Sequence, residues 1–341
     1  MAPPRQYGVV TAIQANYYWV KVGDSPPLLC TRRSRLKKIG QTVVVGDQVG
    51  LDSEDGAPAI AEVLPRRSEF SRPPVANADQ ILLVFSLLEP SPEPWQVSRF
   101  LVKAESAALK VSICFSKRDL INETSLEHWQ TRLENWGYES LAVSAVTGDG
   151  LDTLAEYLQD KITILAGPSG VGKSSLINAL IPDGAQRVSQ VSGKLQRGRH
   201  TTRHVELFAL PRGGLLADTP GFNQPDLDAA PAELIAYFPE VKSQLAQGAC
   251  FFNDCLHRGE PQCRLTADWE RYPHYLKFLE EALERQSQKS RSLEATLKVK
   301  SGAEGELQYE PKLATKKYRR LSRRRGHQTL QSQYGEEEEE F

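Results

Sequence analysis

Residues 162–180 read ITILAGPSGVGKSSLINAL, an apolar run, a glycine-rich loop and an amphipathic segment in that order. Gly167, Pro168, Ser169, Gly170, Val171, Gly172, Lys173 and Ser174 keep the spacing of a phosphate-binding loop, and Ser175 continues into the next segment. Glycines let such a backbone curl until successive N–H groups face a phosphate, and the helix that follows adds positive potential. Lys173 then reaches the β- and γ-phosphates, and the Ser174 hydroxyl goes to Mg²⁺. A strand before the loop and a helix after it restrict the surrounding fold to an α/β sheet.

The rest of the chain agrees with that restriction over its middle. Apolar runs at Gln80–Leu88, Lys110–Ser116, Glu139–Ala145 and Ile162–Gly167 alternate with amphipathic segments. This rhythm predicts a parallel sheet with helices on both faces, completed by strands at 204–210 and 213–218. Short β-type runs between Tyr7 and Val63, divided by Gly, Asp and Pro, predict a separate small β-barrel, and Pro65–Pro74 reads as a linker. Beyond about Phe238 the strand signal fades, and periodic Leu, Phe and Tyr after Asp268 indicate helix. A multidomain α/β protein is expected, divided at 1–66, 70–237 and 238–341. The 341 residues suffice for three such cores.

Two further motifs name the ligand. LLADTPGF places Asp218 at a strand end and Gly221 three residues on; Asp218 would hold Mg²⁺ through water and the Gly221 amide would sense the γ-phosphate. Between the loops, Thr201 and Thr202 each offer a hydroxyl that would complete the metal shell when the γ-phosphate is present. Guanine is distinguished by its N1 and N2 donors, which call for a carboxylate. CFSKRDL supplies Asp119, with the Lys117 stem to lie over the ring, and AVSAVTG supplies the Ser144 and Ala145 amides for O6. Both sets follow apolar strands, which places them at the carboxyl edge of the sheet. Ser116 stands where guanine-binding proteins usually have Asn, whose amide ties this loop to the phosphate loop, and a hydroxyl makes fewer such bonds.

The base-reading residues precede the phosphate loop, whereas in the usual order of a GTPase they follow it. A sheet needs strand neighbours rather than a particular starting point, so joining the old ends and cutting elsewhere rebuilds the same site. Circular permutation is expected, and it makes the segment after Asp218 lead directly into the C-terminal region. Nucleotide state would then move that region.

Cys250, Cys255, His257 and Cys263 form C-x4-C-x-H-x5-C. Three thiolates and one imidazole suit tetrahedral Zn²⁺ in a closed structural site, and the surrounding residues have little apolar content of their own. The two remaining cysteines, Cys30 and Cys114, lie in apolar surroundings and read as small buried side chains. His274 reads as a packing residue of the following helix.

The permuted order, the segment GRHTTRH, DTPGF and the cysteine cluster together resemble the bacterial ribosome small-subunit-dependent GTPase A family over nearly the whole chain. The resemblance implies an N-terminal OB-fold, a permuted GTPase domain and a C-terminal zinc domain, acting late in assembly of the small ribosomal subunit. It also implies His200 as the group that orients the attacking water, since Phe222 follows Asp-x-x-Gly where many small GTPases carry Gln.

The formal net charge of -1 conceals segregation: Lys312–Arg325 holds eight basic residues and no acidic one, and Glu336–Glu340 is wholly acidic. With RRSRLKK at 32–38 and Tyr17, Tyr18 and Trp19 in the barrel, this suggests a polyanion, which the resemblance names as ribosomal RNA. Alternate members of the aromatic trio must face the barrel core. No apolar run is long enough to span a membrane and no signal peptide is evident, so a cytoplasmic monomer holding GTP or GDP is expected. Two other readings share these features: an ATP-dependent enzyme on the same loop, and a zinc-containing RNA-binding module with a non-catalytic nucleotide site.

Overall fold

A computed structural model describes residues 6–54, 57–71, 74–181, 205–218, 226–301 and 307–311. The chain divides into two compact units, residues 1–283 and 284–341.

Five strands between Gln6 and Val63 form the barrel. Strands β1 (Gln6–Gln14), β2 (Tyr17–Lys21), β3 (Leu28–Arg32), β4 (Gln48–Glu54) and β5 (Ala57–Val63) pair in the order β1-β2-β3-β5-β4, with helix α1 (Ser34–Lys38) after β3. Val9 of β1 meets Gln48 of β4, which closes the ring and leaves no free edge. Side chains alternate along β2: Tyr18 is 6% exposed, whereas Tyr17 and Trp19 are 51% and 38% exposed. Val10, Val20, Cys30, Leu36, Val49 and Ile60 fill the interior. Asp47, fully buried, is held by a bidentate pair from Arg66 at 2.7 and 3.0 Å and by the Val44 amide at 2.7 Å. That clamp fixes the barrel's exit strand to its body.

After a short hairpin, β6 (Glu69–Ser71) with β7 (Pro74–Ala76), the α/β region begins. It comprises β8 (Gln80–Ser86), α2 (Pro94–Glu105), β9 (Lys110–Ser116), α3 (Glu123–Asn135), β10 (Ser140–Ala142), α4 (Leu151–Leu158), β11 (Ile162–Ala166), α5 (Lys173–Leu180), β12 (Glu206–Ala209) and β13 (Leu215–Asp218). The strand order is β10-β9-β8-β11-β13-β12. Five strands are parallel; β12 runs antiparallel to β13, because the tight Pro211–Gly214 turn joins them as a hairpin. β12 also meets β1 at Glu206 and Ala12, so sheet and barrel are continuous.

The near-continuous apolar strands are explained by burial on both faces. Ile81, Leu83, Phe85, Ile113, Phe115 and Ile164 point to α2 and α3, where Phe100, Leu101, Trp129 and Leu133 receive them. Leu82, Val84, Cys114, Leu165 and Leu216 point the other way, to Leu154 and Leu158 of α4 and Leu176 and Ile177 of α5. Cys114 and Cys30 are fully buried, and desolvation pushes their thiols up to about 12 and about 11, so both pack as apolar side chains.

Residues 226–283 pack on the outer side of α2. Phe238, Tyr275, Phe278 and Leu279 gather around Val102, with Trp95 and Phe278 ring centroids 4.3 Å apart. The elements here are α6 (Lys242–Leu245) and the start of α7 (Tyr272–Thr296). His274 packs edge-on to Trp95 as a helix packing residue. In the second unit β14 (Leu297–Ser301) pairs antiparallel with β15 (Leu307–Pro311). Strands were not expected past Phe238, although LKVKS and LQYEP both begin with the alternation of a half-exposed strand.

Candidate functional site

The phosphate loop leaves β11 at Ala166 and enters α5 at Lys173. Gly167 cannot be another residue there: φ is 138°, and a Cβ would lie 2.1 Å from the Val84 carbonyl oxygen of the neighbouring strand. Gly170 and Gly172 also adopt positive φ, at 82° and 95°, which turns the loop around its own amides. Lys173 folds back, its Nζ donating to the Gly167 and Pro168 carbonyls at 2.8 and 2.6 Å. Burial lowers its pKa and the Asp218 carboxylate opposes that shift, so a phosphate arriving here meets a poorly solvated cation. Ser174 and Ser175 occupy the first turn of α5, and Val171 is buried against the sheet. Asp218 ends β13, in register with Leu165 at the root of the loop.

The base-reading residues arrive from the neighbouring strand ends. β9 ends on Ser116, after which Lys117 takes a left-handed φ of 55° and opens a single 3₁₀ turn, Arg118–Leu120, that carries Asp119. Ser144 follows β10 and is fully buried; its hydroxyl donates to Asp119 Oδ1 at 2.5 Å and accepts the Val146 and Thr147 amides at 3.2 and 3.1 Å. The Asp119 carboxylate is therefore aimed by a group from another strand. The Ser144 amide is not available for O6, because it donates to the Asp149 carbonyl at 2.9 Å. Of the two amides expected to serve, only that of Ala145 is without a partner among the described residues. Lys117 Nζ donates to the Glu89 carbonyl at 2.5 Å.

Ser116 unites the two loops. Its hydroxyl lies 3.2 Å from the Phe85 carbonyl and is also hydrogen-bonded to the Val171 carbonyl of the phosphate loop. The tie expected of an asparagine amide is thus made by a hydroxyl. The carboxyl edges of β8, β9, β10, β11 and β13 thereby present Asp119, Ser144, Lys173 and Asp218 along one rim. His200, Thr201, Thr202 and Gly221 lie outside the described residues.

The cysteine cluster closes as its spacing predicts. Nδ1 of His257 lies 3.7, 3.8 and 3.3 Å from the sulfurs of Cys250, Cys255 and Cys263, and all four ligand atoms fall within 4.8 Å of one another. Bond lengths to Zn²⁺ of about 2.0–2.3 Å put tetrahedral ligands roughly 3.4–3.8 Å apart, so this group suits one structural zinc. Burial lowers the His257 pKa toward the neutral imidazole that ligates. Glu260, which the spacing did not single out, organises the knuckle by accepting the Leu256 and Arg258 amides at 3.0 and 2.5 Å and the Cys255 thiol at 3.6 Å. The signal for it was its place between the last two ligands. Phe251 and Phe252 stand exposed beside the cluster.

On the barrel, the expected basic cluster divides. Arg32 donates to the Gln41 carbonyl at 2.9 Å and Arg33 pairs with Asp52, while Arg35, Lys37 and Lys38 are exposed at the end of α1. No helix among the described residues is long and apolar enough to cross a membrane.

Comparison with known proteins agrees with this geometry. A family model described as RsgA GTPase matches residues 63–228. The small ribosomal subunit biogenesis GTPase RsgA of Synechocystis sp. is 56% identical over 347 residues, spanning 95% of this chain and 94% of its own length. The protein of that name from Trichormus variabilis is 55% identical over 360 residues, spanning 97% of each. Among solved structures, YjeQ from Thermotoga maritima superposes with a TM-score of 0.69 at 33% identity, over 82% of this chain and 99% of its own. YloQ, described as a circularly permuted GTPase, gives 0.69 and 33% over 83% and 96%.

Proposed function

The chain belongs to the RsgA GTPase family, and from that premise we propose that it hydrolyses GTP in late biogenesis of the small ribosomal subunit, leaving the subunit after hydrolysis. The observation that carries the reading is the bond from Ser116 to the Val171 carbonyl, which holds a carboxylate-bearing base loop against a phosphate loop. A purine nucleotide fits with its base at Asp119 and its phosphates at Lys173.

In this reading the loop amides from Ser169 to Ser174 hold the β-phosphate and Lys173 leaves its two carbonyls for the β- and γ-phosphates. Ser174, Asp218 and one of Thr201 or Thr202 hold Mg²⁺, which lowers the charge barrier to attack when bound with GTP. The Gly221 amide senses the γ-phosphate, and His200 orients water. Exposed Tyr17 and Trp19, with Arg35, Lys37 and Lys38, give the barrel a surface suited to rRNA by stacking and charge. The functional parts follow 1–66, 70–237 and 238–341, in a cytoplasmic monomer.

Phosphate release from GTP by the full chain should rise on adding small ribosomal subunits and not on adding large ones, and ATP in excess should not suppress it. Equal stimulation by both subunits removes the ribosomal assignment; suppression by ATP removes the guanine one. His200→Ala should abolish the stimulated rate and keep GTP binding.

A further inference from the structure

Guanine presents two acceptors, O6 and N7, on one edge, and each requires its own donor to be read. Around the base loops most polar hydrogens are already committed within the protein. The Ser144 amide donates to Asp149 O, and the Val146 and Thr147 amides donate to Ser144 Oγ. The Ser144 hydroxyl proton goes to Asp119. Lys117 Nζ gives one of its three protons to the Glu89 carbonyl. Ser116, buried at the junction of the loops, has a single hydroxyl proton and two carbonyls to receive it, Phe85 O and Val171 O. Whichever carbonyl takes the proton, Oγ is left with lone pairs only. N7 is also a lone pair, so the two cannot bond. Of residues 144–147, Ala145 alone keeps an amide without a partner among the described residues, and that amide is the donor this loop offers to O6.

We propose that this pocket reads guanine through N1, N2 and O6 and leaves N7 unread, so that a guanine nucleotide with carbon in place of N7 is accepted as well as GTP. An asparagine at position 116 has two N–H groups, enough to hold the phosphate loop and still donate to the base. The serine keeps the first role and gives up the second. The proposal rests on the guanine reading above.

Equilibrium titration of the full chain with GTP, 7-deaza-GTP and ATP, all with Mg²⁺, separates the two claims. GTP and 7-deaza-GTP should bind within about twofold of each other, whereas a donor on N7 would favour GTP by roughly tenfold. A tenfold preference for GTP over 7-deaza-GTP overturns the inference and leaves the guanine reading intact. ATP binding as tightly as GTP overturns the guanine reading itself. Ser116→Asn supplies the missing donor and should raise the ratio from near one to about tenfold. A folded S116N chain whose ratio stays near one shows that position 116 does not face N7, and likewise overturns the assignment. If that variant does not fold, the ratio measured on the unaltered chain decides alone.

Discussion

Replacing Ser144 with Ala tests whether the base-reading carboxylate is aimed by the protein or merely present. The hydroxyl makes three bonds: one to the Asp119 carboxylate at 2.5 Å, and two from the Val146 and Thr147 amides at 3.2 and 3.1 Å. The amides belong to a loop whose Val146 is 87% exposed, so water replaces Oγ there at a cost of tenths of a kcal/mol. The Asp119 carboxylate is itself exposed, so water takes over part of that bond too, but water does not aim the carboxylate. Hydrogen bonds to charged groups contribute about 1.5–3 kcal/mol, which corresponds to roughly 10- to 150-fold. Part of that bond also orders the unliganded loop, so the loss in binding should fall near the lower end, about tenfold for GTP. ATP, which offers no N1–H and N2 pair to the carboxylate, should bind the variant as it binds the parent chain. Titration of both nucleotides, with thermal unfolding as a control for folding, measures this. In an Asp119→Ala background the serine change should add little, since the bond it removes is already gone. A folded S144A chain that binds GTP within twofold of the parent refutes the argument.

Three further outcomes follow from the geometry. Gly167→Ala would place Cβ 2.1 Å from the Val84 carbonyl at a φ of 138°, and should abolish nucleotide binding while lowering the unfolding temperature; titration that finds GTP affinity intact would show the loop can move aside. Arg271→Met strands the buried Glu240 carboxylate, to which Arg271 Nε donates at 2.6 Å; it should cost about 3–5 kcal/mol and roughly 6–20 °C of unfolding temperature. Adding Glu240→Leu should recover most of that loss by chemical denaturation, and no recovery would acquit the pair. His274, whose Nδ1 is buried without a partner among the described residues, has its pKa lowered by burial and then by Arg271. The unfolded chain therefore binds the proton more readily than the folded one, so stability is full above an unfolded value of about 6.5 and falls as pH drops below it. His274→Phe should flatten that part of the pH profile.

The parts of this fold that were legible in the sequence share one property: each was set by neighbours in the chain. The glycines of the phosphate loop, the apolar strand runs and the cysteine spacing are local patterns with local causes, and the structure reproduces each of them. Tyr18 turns inward between Tyr17 and Trp19 because strand geometry alternates. What was not legible came from local closures that no residue type announces, or from contacts across the sequence. That the Ser144 amide is engaged by Asp149 follows from the local turn Ser144–Gly148, whose closure no residue type announces. That Ser116 can replace an amide depends on Val171, 55 positions away, presenting a carbonyl. The hairpin at 297–311 was missed because charged residues around a short alternating run obscure its period.

The same distinction bears on how nucleotide state could reach residues 226–283. Chain order alone suggests a region hung directly on the segment after Asp218 and free to swing with it. The packing argues otherwise. Helix α2 is apolar on two sides: Phe100 and Leu101 face the sheet, while Trp95 and Val102 meet Phe278 and Phe238. Ion pairs from Arg99 to Glu281 at 2.9 Å and from Lys103 to Asp228 at 3.6 Å border that contact, and Trp136 Nε1 donates to Glu270 at 2.8 Å from the end of α3. The partly exposed pairs contribute at most about 1 kcal/mol each, but every large apolar side chain of the cluster contributes about 1.5–3 kcal/mol by its burial. Detaching this region would expose several such side chains at once, which exceeds what release of one phosphate's contacts can offset. Helices α2 and α3 flank β9, whose end carries Ser116 and the base loop. Any movement of residues 226–283 on hydrolysis therefore has to carry α2 with it, because the cluster around Val102 joins the two.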